Sequence, residues 1–120
     1  TNLERTVIDC IKDLGKAGGI EELLQCLRLI TFLDSEKMIQ YLKLYNIQFL
    51  YQKAGFLLKH FQDELKLPYS FFDFCHKNIV KSKRYLTDKD EKDLIYNSEW
   101  RLFVPENLMT FMEQGSDELV

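Results

Sequence analysis

The chain has 120 residues, with 16 Lys/Arg against 19 Asp/Glu for a formal net charge of −3, and 46% of its residues are hydrophobic. That length predicts a single domain over residues 1–120, burying about two-thirds of its unfolded surface. No apolar run reaches the roughly 18–20 residues that a membrane helix needs, and no basic start followed by an apolar stretch marks a signal peptide.

Nine Phe, six Tyr and one Trp supply material for a dense core. The chain opens at Thr1 inside a helix entry, which reads as a trimmed piece of a longer protein. The three cysteines, Cys10, Cys26 and Cys75, are odd in number, widely spaced and set among apolar residues. They are expected as reduced, buried small hydrophobes in a cytosolic protein, not as a disulfide framework. Charge is unevenly placed. Residues 37–87 hold nine Lys/Arg against three Asp/Glu, and residues 88–120 hold three against nine. The two blocks either attract each other within the fold or face different partners; solvated faces are the plainer account.

A first helix is predicted over about 2–14, capped by Asn2 and carrying an apolar stripe of Leu3, Val7, Ile8, Cys10, Ile11 and Leu14. Arg5 and Asp9 stand four apart and can pair on its surface. Gly15 is expected to stop the helix, and Gly18-Gly19 to turn the chain into a second helix reaching about Phe32. Ile20, Leu23, Leu24, Leu27 and Ile30 would face inward there, while Glu21 and Glu22 suit the positive end of the helix dipole.

Asp34 or Ser35 caps a third helix through about Tyr45, and Asn46 closes it. The longest helix is predicted over 47–65, about 28 Å at 1.5 Å per residue. Apolar residues on several of its sides make it the expected centre of the fold. Gly55 inside it costs about 1 kcal/mol relative to Ala, which a close helix crossing would offset. Pro68 breaks the run, and Ser70 with Asp73 reads as the capping pair of a helix over 71–78.

Beyond that point the period changes. Segments 82–87 and 94–104 are rich in aromatic and branched residues, and Trp100, Leu102 and Val104 alternate with Arg101 and Phe103. They are expected to pair as a small antiparallel hairpin, with the charged segment 87–93 between them. Pro105 opens a last short helix to about Met112, and 115–120 read as a frayed tail. The expected fold class is therefore α+β, mainly α: five to six helices around the long one, plus a hairpin.

Spacings that carry chemistry are missing. His60 and His76 are sixteen residues apart, with no zinc-type spacing nearby, so no metal and no cofactor is expected. Cys75 beside His76 lies in an aromatic run, where burial makes a thiol inert rather than nucleophilic. The glycines before the second helix lack the Lys-Ser/Thr ending of a phosphate loop and read as a plain helix corner. Asp9, Asp13, Glu21 and Glu22 alternate with Arg5, Lys12 and Lys16, as surface ion pairs do. The strongest basic feature is Lys77, Lys81, Lys83 and Arg84, followed by Tyr85 and uninterrupted by an acid. Such a strip can meet phosphates or an acidic protein surface; the plainer account is a solvated strand edge that Lys keeps from unwanted pairing. No helix pair carries a basic, base-reading face.

Several segments, in order, resemble the C-terminal domain of the AbiEi-type antitoxins, transcriptional regulators of bacterial abortive-infection systems. They are Glu4-Arg5-Thr6 with Val7-Ile8-Asp9-Cys10, then Ala17-Gly18-Gly19-Ile20-Glu21-Glu22, Tyr41-Leu42-Lys43-Leu44-Tyr45, Leu50 through Leu58, and Trp100 with Leu102, Val104 and Pro105. The resemblance spans about residues 3–105. It implies a bacterial cytoplasmic protein without catalytic activity that counters a nucleotidyltransferase-like toxin. It also implies a full-length form whose N-terminal winged helix-turn-helix, absent from this chain, binds the operon's own promoter DNA. The working surface would be Lys77, Lys81, Lys83 and Arg84, with Lys43, Lys53 and Lys59 expected to be exposed beside them. A helical oligomerisation or scaffold module is the alternative, motivated by the many-sided long helix and the run Phe71-Phe72-Asp73-Phe74. An enzyme is a third class, for which no catalytic spacing speaks.

Overall fold

A computed structural model describes residues 3–14, 19–79, 81–86, 93–108 and 112. Helices dominate it: α1 (Leu3–Lys12), α2 (Gly19–Leu29), α3 (Ser35–Tyr45), α4 (Gln48–Lys59), the single turn α5 (Gln62–Leu65) and α6 (Tyr69–Lys77). Three short strands follow, β1 (Arg84–Tyr85), β2 (Leu94–Asn97) and β3 (Leu102–Pro105), and residues 106–108 and 112 are helical again. The class is α+β, as the sequence predicts. The expectations for Asn2, Gly15, Gly18, the segment 87–92 and the tail 115–120 lie outside the described residues.

Helix α1 buries Val7, Ile8 and Ile11 against α3, α4 and α2. Its Glu4 is only 8% exposed, and its Oε2 accepts the backbone N–H of Asp34 at 2.9 Å, tying the loop after α2 to the start of α1. Asp9 pairs loosely with Arg5 at 4.0 Å and accepts the Tyr45 hydroxyl from α3. Asp34 caps α3 by accepting from the N–H groups of Glu36 and Lys37, and Asn46 closes it in the left-handed conformation. Helix α6 differs from expectation. It starts at Tyr69 directly after Pro68, whose fixed φ suits a helix entry, so the Ser70–Asp73 capping pair does not form.

The long helix predicted over 47–65 is two pieces. After Lys59 the chain turns at His60-Phe61 and resumes for one turn as α5. The end of α5 is tied to the loop after α2: Leu33 N–H donates to the Leu65 carbonyl, and Lys66 Nζ donates to the Thr31 carbonyl. The first piece is central nonetheless, while α5 buries only Leu65. Every residue of α4 from Leu50 to Leu58 is buried. The apolar surface on several of its sides is thus consumed within the chain, by α1, α6 and the sheet. Phe71 and Phe72 are buried too, and Tyr51 packs edge-on to Phe74.

The sheet corrects the expected pairing of 82–87 with 94–104. Segment 94–104 is itself bent into the antiparallel hairpin β2–β3, with Leu94 opposite Pro105 and Asn97 opposite Leu102. The bend has a local cause: Asn97 Oδ1 accepts the Trp100 N–H at 2.9 Å, and Arg101 adopts φ 53° to re-enter the sheet. Strand β1 then joins parallel to β3, giving the order β1-β3-β2. Leu102 and Val104 are the residues that the core needs, so β3 takes the centre and the two-residue, cationic β1 takes an edge.

Candidate partner and nucleic-acid surface

The seven cations expected at one surface fall into two groups. Lys77 at the end of α6, Lys81 and Lys83 before β1, and Arg84 on β1 are all exposed. Arg84 is fixed by its backbone, which donates to the Arg101 carbonyl at 3.0 Å. The other three belong to the helical body and each lies over an aromatic ring. Lys43 is exposed on α3 with Nζ 5.3 Å above Phe74. Lys59 is half-buried, its Nζ near Tyr69 and Phe72 and donating to Gln62 Oε1 at 2.8 Å.

Lys53 departs from its expected exposure. It is 8% exposed, with Nζ 4.8 Å over the Phe49 ring. Burial lowers its pKa below the ordinary lysine value, and the Asp13 carboxylate opposes that shift only in part. A lysine enclosed in this way is not available to a phosphate, so Lys53 leaves the candidate surface.

The cysteines also divide. Cys75 is fully buried and its thiol is pushed up to about 12 by burial, an inert core residue. Cys10 and Cys26, expected in the core, are exposed instead. The stripe on α1 is narrower than its apolar residues suggest, because Val7, Ile8 and Ile11 already fill it. Partial burial raises the Cys10 pKa, with Cys26, Asp9, Glu22 and Asp13 adding to the shift.

What the strip borders is a feature that sequence reasoning missed. Tyr85, Phe103 and Tyr96 lie opposite one another on β1, β3 and β2 and form a continuous row across the sheet. The Tyr85 and Phe103 rings are stacked, with centroids 5.0 Å apart and planes 22° from parallel. Tyr96 leans on Phe103 from the other side at 5.0 Å. Lys83 reaches over β3 to set its Nζ 5.0 Å above Tyr96. The opposite face carries Leu86, Leu102 and Val104 into the core, so the aromatic row points away from it. The alternation of Trp100, Leu102 and Val104 with Phe103 marks Phe103 as outward; only the parallel pairing of β1, which no local pattern encodes, brings Tyr85 beside it.

Trp100 joins the sheet to the helices. Its ring is buried against Gly55 of α4 and meets His76 of α6 edge-on at 5.4 Å. Gln52 Nε2 donates to the Trp100 carbonyl at 3.0 Å and to that of Arg101 at 3.3 Å. An open cleft of about 160 Å³ lies beside this joint, between Phe56, Lys59 and His60 on one side and Asn97, Glu99 and Trp100 on the other. His60 Nε2 donates to the Met112 carbonyl there, at 2.9 Å. Among the described residues no group of three or more His, Cys, Asp or Glu is placed to hold a metal ion, and no helix is long and apolar enough to cross a membrane. No family model, curated protein or solved structure matches the chain.

Proposed function

We propose that this chain is a non-catalytic binding domain of a bacterial, cytoplasmic antitoxin and transcriptional regulator, which counters a nucleotidyltransferase-like toxin and supports repression of its own operon. The observation that carries the reading is the ordered resemblance of five segments between residues 3 and 105. Glu4, from the first segment, holds the loop at Asp34. Asp9 meets Tyr45 of the third segment. Gln52 and Gly55, from the fourth, meet Trp100 of the last. These contacts set where the segments sit in the fold. In this reading Lys77, Lys81, Lys83, Arg84, Lys43 and half-buried Lys59 face the partner, and promoter recognition falls to a separate DNA-reading domain of the full-length protein. Growth of bacteria expressing the nucleotidyltransferase-like gene of the same operon tests it. Rescue by the full-length protein supports the reading, and failure of a soluble full-length protein to rescue overturns it.

A helical oligomerisation module has one specific observation in its favour: Leu29 and Leu44 are 84% and 74% exposed, and Phe32 is 55% exposed. Sedimentation at high protein concentration tests it, with a strictly monomeric species as the contrary result.

A further inference from the structure

We infer that the outer face of the sheet is a stacking platform for single-stranded nucleic acid, in which bases extend the aromatic row Tyr85–Phe103–Tyr96 and phosphates meet Lys83 and Lys81. Such a platform goes beyond the antitoxin reading and does not depend on it. Three observations meet at this face. The row is in ring contact throughout, with both centroid intervals at 5.0 Å: Tyr85 is stacked on Phe103, and Tyr96 is tilted 48° against it. Its two ends are open: Tyr85 is 40% exposed and Tyr96 36%. Cations border the same edge: Lys81 and Lys83 are both exposed, and Lys83 lies over Tyr96, with no acid among residues 74–87; Arg84, opposite Leu102, alternates to the other face of β1.

An aromatic row on a sheet has a plainer use, since cross-strand ring pairs stabilise short strands. That use does not call for exposed ring ends or for a lysine over one of them. The chemistry on this face fits unpaired bases. Every base has a π-face that a Tyr ring can take, so stacking tolerates any sequence, while the neighbouring cations track the backbone. Lys83 is poised for the exchange. Its ammonium rests over Tyr96, and its four-carbon stem lets it swing to a phosphate when a base takes that position. A duplex hides its base faces within the stack, so it would meet only the cations and none of the rings.

Fluorescence anisotropy of the whole chain, with labelled uridine and thymidine oligomers of about 12 nucleotides and a duplex of the same length, tests this. Both single strands should bind more tightly than the duplex; a gap between uridine and thymidine separates RNA from DNA as the natural strand. Tyr85→Ala and Tyr96→Ala should each weaken single-strand binding about tenfold, while Tyr85→Phe and Tyr96→Phe keep it. Lys83→Gln should lower the slope of log affinity against log salt by about 0.7. Should the alanine forms unfold, ring-proton shifts of Tyr85, Tyr96 and Phe103 in the unaltered protein, on addition of the uridine oligomer, give the answer. No single-strand binding at about 50 mM salt overturns the inference. So does equal binding of the duplex with the alanine variants unaffected, or binding that leaves the three rings unshifted.

Discussion

The indole of Trp100 occupies the space that a side chain at Gly55 would need: a Cβ there would lie under 3.0 Å from three of its ring atoms. The glycine therefore serves as the seat on which the sheet meets the helices, and the neighbouring Gln52 fastens the same turn from one helical turn away. An alanine at 55 gains about 1 kcal/mol in helix propensity. It must also displace a buried ring, and overpacking of that kind costs about 1–3 kcal/mol. Gly55→Ala is expected to lower stability in urea unfolding, and Trp100→Leu in the Gly55→Ala background to recover part of the loss.

Gln52 has one satisfied and one unsatisfied end. Its Nε2 holds two carbonyls, while Oε1 is buried without a hydrogen-bond partner among the described residues. Replacing it with Leu strips the Trp100 carbonyl of its donor, and a loss of about 1–3 kcal/mol is expected. Gln52→Glu should be worse at neutral pH than at pH 4, because a buried carboxylate would face carbonyl oxygens until it is protonated. Thermal melts across that range check both expectations.

The helices were legible in the sequence because each carries its own signals. Asp34 or Ser35 marked the start of α3 and Asn46 its end, and apolar residues on several sides marked α4 as central. Gly55 announced a close contact, but not its partner; in place of the expected helix crossing stands Trp100, forty-five residues away. The place of β1 escaped for the same reason: the Phe103 carbonyl that holds Leu86 beside β3 leaves no periodic trace. The break at His60-Phe61 left none either, since the apolar spacing of Leu57, Leu58, Phe61 and Leu65 runs through it. At the surface, Lys77–Arg84 was legible as a run of charge, whereas the burial of Lys53 was not, since a lysine stem packs over a ring as readily as it points to water.

Lys53 gives a signed prediction. Its folded pKa lies below the unfolded value, so the fold is penalised wherever the unfolded chain carries the proton more readily. The penalty is complete below the folded pKa and vanishes as pH rises toward the ordinary lysine value, about 10.4. Lys53→Met keeps the contact with Phe49 and removes the charge. Its melting temperature should exceed that of the unaltered protein at pH 7, with the gain shrinking toward pH 10.

The cysteines predict a stoichiometry. A disulfide reagent at pH 8 should modify two thiols in the folded protein, Cys10 and Cys26, and the third only on unfolding, because Cys75 is buried with its pKa pushed up to about 12. The sign of the linkage follows. The unfolded Cys75 thiol ionises from about pH 8.5 while the folded one stays neutral, so its contribution to stability falls as pH rises above that value. Three fast thiols in the folded state would contradict the placement of Cys75.

The proposed antitoxin function meets its most direct test in viable counts of bacteria in which the nucleotidyltransferase-like gene proposed to lie in the same operon is induced, with and without the full-length protein. Counts restored to those of uninduced cells are expected, with a partial loss of rescue when Lys77, Lys81, Lys83 and Arg84 are all changed to Gln. Counts that stay low in the presence of soluble, folded full-length protein would contradict it.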